Sequence, residues 1–442
     1  MTQTFVRFIY VLVLYLAVPL VWLRLILRTR KQPAYGDHRW ERWGFYPSLV
    51  TTKPLIWLHA VSVGETRAAE PLILTLLKIY PDHDILLTGM TPTGRATGLE
   101  RFGPSTATEG RVHQAYLPYD YPGAVQRFLC HFQPQIGLLM ETELWPNLMA
   151  ACQSRRLSVV LVNARLSERS ARGYQRFSAL TGPAFRALTG VAAQTTADAA
   201  RLSNLGANNI TVCGNLKFDV TPDAALLALG QTYRTTLGQR PIWLAASTRE
   251  GEEADLLAAQ QTVLAQYPDA LLVLVPRHPQ RFEEIAALIT NSGLAMTRRS
   301  QSLPSLQTQV WLGDSMGEMA AYYACANIAV IGGSWQPLGG QNLIEAAACG
   351  CPVIVGPHTF NFTQATEDAI TAGAAIRLDG TAAIATELLD FWGDKKRQLL
   401  MQEAAITFTR QHQGATQRTL AVIQENYHPQ QPPVQPHWRR QN

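Results

Sequence analysis

The hydrophobic pattern of the chain begins with one long uncharged run near its N-terminus. Residues 8–23 read FIYVLVLYLAVPLVWL without a charge, and residues 25–27 continue the apolar character beyond Arg24. A helix that spans a bilayer needs about 20 apolar residues, and an arginine at its end can reach the headgroups and lengthen the segment. The pattern therefore predicts an N-terminal membrane-anchoring helix within residues 1–32, which either spans the bilayer or inserts shallowly.

Positive charge flanks this run unevenly. Arg7 alone precedes it, whereas several basic residues follow, namely Arg24, Arg28, Arg30, Lys31, Arg39 and Arg42. Because excess positive charge stays on the cytoplasmic side, we expect the rest of the chain to lie there. A cleaved signal peptide would have the opposite charge order and a small-residue cleavage site, so we expect an uncleaved anchor. The basic cluster either only sets this topology or also binds an anionic surface.

Beyond the anchor, short β-rich apolar runs alternate with amphipathic helical stretches. The predicted strands are PLIWLHA, DILLTGM, IGLLM, SVVLVNA, VAAQT and ITVCGN in the first half, and PIWLAAS, ALLVLVPR, VWLGD, ANIAVIGGS and CPVIVGP in the second. Such alternation predicts parallel sheets with helical crossovers, in which ligands bind beyond the carboxyl ends of the strands. We therefore predict an α/β fold with functional residues directly after strands.

A turn-rich break, with Thr-Pro-Asp at residues 221–223, separates the two halves. We predict Rossmann-like domains at residues 33–219 and 220–425, followed by a frayed proline- and glutamine-rich tail at 426–442. Two such domains that face each other would enclose a central cleft, the usual place for a small-molecule site.

Composition excludes several classes of function. With 442 residues, 47% of them apolar and only 16% charged, the chain suits a folded multidomain protein. The net charge of +5 is modest and the basic residues are not interleaved with aromatics, so we expect no nucleic-acid partner. The six cysteines form no CxxC pair and the ten histidines are dispersed, so we expect neither a zinc site nor a disulfide framework, and no metal.

Three candidate residues of the first half follow predicted strands. Glu65, in His-Ala-Val-Ser-Val-Gly-Glu, is placed to act as a general base or else only to complement a helix N-terminus. In Met-Glu-Thr-Glu-Leu-Trp-Pro, one of Glu141 and Glu143 is expected to face a ligand, and we favour Glu141; a structural ion pair is the alternative. Lys217 either meets an anionic group or is an ordinary surface lysine.

The second half contains candidate anion-binding residues. Arg277 directly follows a strand, and Pro276 before it fixes the backbone direction. The paired N–H donors of its guanidinium group suit a phosphate. The backbone amides of Met316, Gly317 and Glu318 are expected to open a helix and hold an anion, unless Asp314 or Ser315 simply caps that helix. A glycine-rich segment leads into a further helix that carries Asn342, Leu343, Ile344 and Glu345, with Glu345 placed for ribose hydroxyls. It matches neither GxGxxG nor a P-loop.

Taken in order, the motifs of this chain resemble those of the Kdo (3-deoxy-D-manno-octulosonic acid) transferases of lipopolysaccharide synthesis. They are HAVSVGE, METELWPN, NARLSERS, GNLKFD, STREGEE, VPRHPQRF, GDSMGE, GGSWQPLGGQNLIEAAACG and GPHTFNF. The resemblance implies a GT-B fold, CMP-Kdo as donor substrate with no other cofactor, the lipid A precursor (lipid IVA) as acceptor, and inversion without metal. It also implies a location at the cytoplasmic face of the bacterial inner membrane.

The same resemblance implies roles for the candidate residues. Glu65 corresponds to the catalytic base, and Glu141 and Lys217 correspond to transition-state stabilisers. The positions that would contact CMP are Pro276, Arg277, Met316, Gly317, Glu318, Asn342, Leu343, Ile344 and Glu345. Gln341, Leu343 and Ile344 occupy variable positions of the last motif, so backbone contacts are expected there more than side-chain contacts.

Two other functions compete with this interpretation. A non-hydrolysing nucleotide-sugar epimerase has the same architecture but needs no membrane anchor, which the apolar run at residues 8–23 disfavours. A non-catalytic membrane scaffold would not need a carboxylate, a lysine and an arginine at strand ends.

Overall fold

The computed structural model describes residues 3–48, 51–219 and 221–427. The chain forms two compact units, Met1–Asp219 with Gln413–Asn442, and Val220–His412. Each unit contains one seven-stranded sheet. All strand pairs in both sheets are parallel, so the predicted α/β class is confirmed.

The N-terminal apolar run forms two helices, α1 (Gln3–Leu16) and α2 (Val18–Lys31), which meet at a bend of 47°. Within the described residues, no single helix has the length and apolar character to cross a membrane. The two helices of this bent pair together have that length and apolar character. The prediction of a single helix was therefore wrong, because the segment forms two helices with a bend between them. Pro19 lies in the first turn of α2, where it has no N–H to continue the hydrogen bonds of α1.

The first unit alternates strands and helices. Its strands are β1 (Leu55–His59), β2 (Asp84–Gly89), β3 (Val112–Tyr116), β4 (Ile136–Met140), β5 (Ser158–Ala164), β6 (Gly190–Ala193) and β7 (Ile210–Val212). Its helices are α3 (Val63–Ala68), α4 (Glu70–Ile79), α5 (Pro92–Phe102), α6 (Pro122–Phe132), α7 (Pro146–Ser154), α8 (Glu168–Arg176), α9 (Ser178–Arg186) and α10 (Thr196–Asn204).

The strand order of this sheet is β3-β2-β1-β4-β5-β6-β7, so the direction of winding reverses between β1 and β4. Every residue of β1 and β4 is buried, as expected for parallel strands covered by helices on both faces. In doubly wound sheets, ligands bind beyond the carboxyl ends of the strands at such a reversal. The segments that follow β1 and β4 contain Glu65 and Glu141.

The second unit repeats this design. Its strands are β8 (Ile242–Thr248), β9 (Leu271–Pro276), β10 (Met296–Arg298), β11 (Val310–Leu312), β12 (Ile328–Ile331), β13 (Val353–Val355) and β14 (Ala375–Arg377). Its helices are α11 (Ala224–Leu237), α12 (Glu253–Leu264), α13 (Phe282–Asn291), α14 (Met319–Cys325), α15 (Leu343–Ala348), α16 (Thr363–Thr371), α17 (Ile384–Gly393) and α18 (Lys395–His412). The order β10-β11-β9-β8-β12-β13-β14 reverses between β8 and β12.

The last helix, α19 (Ala415–Asn426), returns to the first unit. A carboxylate oxygen of Asp219 accepts the N–H groups of Gly414 at 2.6 Å and Ala415 at 3.3 Å, and Arg418 donates to the carbonyl of Cys213 at 2.9 Å. The structure therefore differs from the predicted domain at 220–425, because these long-range contacts attach the helix to the first sheet. The predicted frayed tail lies outside the described residues from position 428 onward.

Candidate active site

Glu65 lies in the first turn of α3, directly after β1. The hydroxyl of Ser62 accepts the N–H of Glu65 at 3.3 Å and donates to its carboxylate at 2.9 Å, and the N–H of Val61 donates to the second carboxylate oxygen at 2.9 Å. This arrangement resembles a capping box, except that the carboxylate accepts the N–H of Val61, the residue before the N-cap Ser62. Glu65 therefore does complement the helix N-terminus.

Burial raises the pKa of Glu65 to about 7, against hydrogen bonds from Val61 and Ser62 that lower it. The nearby charges of Glu141 and Glu143 raise it further. A carboxylate with a pKa close to the working pH can accept a proton in a reaction and release it afterwards. The surroundings of Glu65 thus suit a general base.

Two further carboxylates follow β4 and differ in their partners. Glu141 has a left-handed backbone with φ of 56°, and its N–H donates to the carbonyl of Val162 at 3.0 Å. Glu143 accepts the indole N–H of Trp145 at 3.0 Å. A non-glycine residue in this backbone region stores strain, which is common at functional sites. Glu143 is thus the carboxylate with a local side-chain partner, while Glu141 has the larger influence on Glu65.

Lys217 lies in a 3-10 turn, Leu216–Asp219, that follows β7. Burial lowers the pKa of its ammonium group; Glu141 and Glu65 oppose this effect, while the positive charge of Arg165 adds to it. Lys217, Glu141 and Glu65 are thus close enough to influence one another. The structure brings the three predicted residues of the first unit together.

Asn163, which the sequence interpretation did not single out, supports this cluster. It lies at the end of β5, is fully buried, and has a φ of 52°. Its side-chain oxygen accepts the N–H of Leu216 at 3.1 Å, and its carbonyl accepts from the side chain of Gln194 at 3.0 Å. Asn163 therefore fixes the segment that contains Lys217. The available signal was an asparagine at a strand end, since asparagine tolerates the left-handed region better than most residues.

Replacing Asn163 with glycine is expected to lower the free energy of unfolding by about 1–3 kcal/mol, because the buried N–H of Leu216 loses its acceptor. Replacement with alanine is expected to cost more, since alanine also tolerates the left-handed backbone poorly. Urea unfolding of the parent and both variants measures the difference. A glycine variant as stable as the parent, or less stable than the alanine variant, would contradict this role.

In the second unit, Pro276 ends β9 and Arg277 follows it. The N–H of Arg277 donates to the carbonyl of Thr248, the last residue of β8, at 3.0 Å. Burial lowers the pKa of the neighbouring His278, and the charges of Arg249, Arg277 and Arg281 lower it further. Three arginines therefore lie near the carboxyl ends of β8 and β9, and one of them, Arg281, forms ion pairs with Glu253 at 2.6 Å and Glu284 at 3.0 Å.

Met316, Gly317 and Glu318 precede α14 rather than opening it, because the helix begins at Met319. The side chain of Glu318 accepts from Arg299 at 2.8 Å. Asp314 does not cap the helix, because it accepts from Arg298 and from the hydroxyl of Ser300 at 2.8 and 2.6 Å, and Ser315 contacts Glu318 instead.

Asn342 caps α15. Its side-chain oxygen accepts the N–H of Ile344 at 3.1 Å, and its amide nitrogen donates to Glu345 at 3.0 Å. Leu343 and Ile344 are only 1% and 0% exposed, so these two residues can contact a ligand through the backbone alone.

A buried carboxylate that the sequence interpretation did not identify holds the glycine-rich loop after β12. Glu252, 1% exposed, accepts the N–H groups of Gly333 at 2.8 Å, Trp335 at 3.3 Å and Arg249 at 2.8 Å. It joins the segments that follow β8 and β12, on either side of the reversal in this sheet. Within residues 3–48, 51–219 and 221–427, no group of three or more His, Cys, Asp or Glu residues is arranged to hold a metal ion.

Comparison with known proteins decides the family. Residues 37–220 match the family described as 3-deoxy-D-manno-octulosonic-acid transferase (kdotransferase), and this range contains Glu65, Glu141 and Lys217. The 3-deoxy-D-manno-octulosonic acid transferase of Bordetella pertussis is 45% identical over 428 residues, which cover 95% of this chain and 99% of that protein. The chain belongs to the Kdo transferase family. The enzyme of the same name from Haemophilus influenzae is 37% identical over 94% of this chain and 98% of that protein.

Solved structures with a similar fold are more distant from this Kdo transferase family member. The UDP-GlcNAc 2-epimerase from Neisseria meningitidis, bound to UDP-GlcNAc, has a TM-score of 0.53 and 16% identity, covering 85% of this chain and 100% of that one. A glycosyltransferase from Rickettsia africae has a TM-score of 0.52 and 16% identity, covering 85% and 99%. At this identity the likeness shows a GT-B-like fold alone, so it gives the epimerase alternative no support.

Proposed function

We propose that this chain transfers Kdo from CMP-Kdo to lipid IVA, with inversion and without a metal ion. Membership of the Kdo transferase family identifies the class of enzyme, a glycosyltransferase. The observation that carries the assignment of the site is the cluster of Glu65, Glu141 and Lys217 after β1, β4 and β7, in which the pKa of Glu65 is raised to about 7.

Glu65 acts as the general base in this proposal. An acceptor hydroxyl attacks the anomeric carbon of Kdo, and the bond between that carbon and the phosphate oxygen of CMP breaks. The electron pair of this bond leaves with CMP, and the hydroxyl proton passes to Glu65. Attack from the side opposite the leaving group inverts the anomeric configuration.

Two positive groups are proposed to stabilise the charges that develop. Lys217 holds the carboxylate of Kdo, which lies beside the reacting carbon. In the second unit, Arg277 binds the phosphate of CMP through its forked donors, and the backbone amides of Met316, Gly317 and Glu318 assist it. Asn342 and Glu345 bind the ribose, and the backbone of Leu343 and Ile344 borders it.

A transfer assay tests this function directly. The full chain is incubated with lipid IVA in detergent and with CMP-Kdo that is labelled in the sugar. The labelled lipid is then separated, and its mass is measured by mass spectrometry. Mass increments of whole Kdo units support the proposal and give the number of units added. Epimerisation of UDP-GlcNAc would indicate the epimerase alternative, and no turnover of either substrate would indicate a scaffold.

We also propose that the α1–α2 pair anchors the protein to the cytoplasmic face of the inner membrane, where the lipid acceptor lies. Several of its large apolar side chains are exposed, among them Phe8 at 64%, Leu16 at 71% and Leu20 at 68%. The basic residues after this apolar segment favour the cytoplasmic side and attract anionic headgroups.

Replacing both Leu16 and Leu20 with glutamate is expected to release the protein from lipid vesicles. A charge at the centre of a bilayer costs about 2.5–3.5 kcal/mol on an insertion scale, so the vesicle affinity should fall at least about tenfold. Co-sedimentation with phosphatidylethanolamine–phosphatidylglycerol vesicles measures it. The matched control replaces Leu399 and Leu400 of α18, 67% and 55% exposed, in the same way. Equal losses in both double variants would count against anchoring by this pair.

A further inference from the structure

One face of helix α8 carries a row of exposed arginines. The helix reads ERSARGYQR and has no buried residue. Arg169, Arg172 and Arg176 are spaced by three and four positions, which places them on one side of the helix, and all three are exposed. Arg172 lies 3.6 Å from Glu168, but an ion pair between two exposed side chains offsets little of this charge.

The opposite face of α8 attaches the helix to the candidate active site. Ala171 and Tyr174 pack against the core of the first unit. The hydroxyl of Tyr174 donates to the carbonyl of Thr142 at 3.3 Å, and Thr142 lies between Glu141 and Glu143. The arginine row is therefore held at a fixed position beside the loop of carboxylates.

The other end of α8 leads to the N-terminal apolar helices. Phe177, which follows α8, is 63% exposed, and the next helix, α9, packs against α1. The exposed apolar side chains of α1 thus lie on the same unit as the arginine row, with α9 in contact with both helices. A basic surface and an apolar surface on the same unit, linked through α9, match the polar and acyl parts of an anionic lipid.

We propose that Arg169, Arg172 and Arg176 bind a phosphate group of the anionic glycolipid acceptor at the membrane surface. This inference rests on the proposed function, since it names the part of the acceptor that the first unit recognises. Guanidinium groups grip phosphate through paired N–H donors, which a lysine ammonium cannot reproduce. The Tyr174 contact would then place the sugar of the bound lipid near Glu141.

The test replaces the three arginines together with glutamine and compares steady-state kinetics in neutral detergent, with a phosphorylated acceptor and with the same acceptor after removal of its phosphates. The KM for the phosphorylated acceptor is expected to rise about tenfold or more, because the variant loses the charge-assisted hydrogen bonds from three guanidinium groups to the phosphate. The KM for CMP-Kdo and the kcat should stay near the parental values. With the dephosphorylated acceptor, parent and variant should behave alike.

Two control variants distinguish phosphate binding by these arginines from a general effect of positive charge on the protein. Replacing Lys395, Lys396 and Arg410, exposed residues of α18, with glutamine removes the same charge and should leave the acceptor KM unchanged. Replacing the three α8 arginines with lysine should restore the acceptor KM only in part. An unchanged KM in the α8 glutamine variant, or an equal rise with both acceptors, would overturn the inference while leaving Kdo transfer intact. A parent protein without Kdo transfer would instead overturn the proposed function.

Discussion

Replacing Glu65 with glutamine is expected to lower the kcat for Kdo transfer by about 10²–10⁴-fold, the usual contribution of a positioned general base. Glutamine cannot accept the proton of the acceptor hydroxyl. Its amide oxygen can still accept the N–H of Val61, so the start of α3 should remain folded. Single-turnover transfer of labelled Kdo at saturating acceptor measures the loss.

The pH dependence separates a base from a merely structural carboxylate. Because burial raises the pKa of Glu65 to about 7, the kcat/KM of the parent should rise with pH through about 7 and level off above it. The residual activity of the glutamine variant should lack this rise. A variant that keeps a tenth of the parental kcat, or a parent whose activity rises near pH 4.5 instead, would contradict the assignment.

The same pKa shift predicts a stability difference of definite sign. Between its unfolded value of 4.5 and about 7, Glu65 binds more protons in the folded than in the unfolded state. Its contribution to stability is therefore present at low pH and is lost as pH rises through this window. The glutamine variant lacks this loss, so its Tm relative to the parent should increase from pH 5 to pH 8. A gain in stability together with a loss of activity is expected where function requires a buried charge.

The interior strands of both sheets could be predicted from the sequence, whereas three outer strands could not. The missed strands are β3, β10 and β14, which read VHQAY, MTR and AIR and lie at sheet edges. An interior parallel strand is buried on both faces and therefore forms a continuous apolar run. An edge strand is partly solvated, so its composition does not distinguish it from a loop. The edge strand β7 was found because its predicted segment continues into the buried Cys213.

The residues of the site also fall into two groups, those that a local sequence motif indicates and those whose contacts are distant in the sequence. Strand-to-helix motifs indicated Glu65 and Arg277, because functional residues in such sheets follow strands. Asn163 and Glu252 contact Leu216 and Gly333, residues that lie 53 and 81 positions away, and no local pattern predicts such pairs. The return of α19 to the first unit depends on Asp219 in the same way, across 195 positions to Gly414. The contacts that these supporting residues make therefore became visible only in three dimensions.

Replacing Lys217 with glutamine is expected to lower the kcat by about 10²–10³-fold, comparable to the loss of one preorganised charge-stabilising donor. Burial lowers the pKa of this lysine while Glu141 and Glu65 raise it, so its ammonium group is poorly solvated and is stabilised by nearby negative charge, which an anionic partner would add to. In the proposed function that partner is the carboxylate of Kdo. Arginine at this position should recover part of the activity, because it keeps the positive charge.

Binding measurements show which part of the donor Lys217 holds. If it holds the Kdo carboxylate, the glutamine variant should lose affinity for CMP-Kdo but bind CMP, which lacks that sugar, as tightly as the parent does. Titration calorimetry with both ligands measures the two affinities, and replacement of Lys78, an exposed lysine of α4, is the matched control. Weakened CMP binding together with normal turnover would instead indicate that Lys217 contacts the nucleotide. That result would leave the catalytic assignment to Glu65 and Glu141 alone.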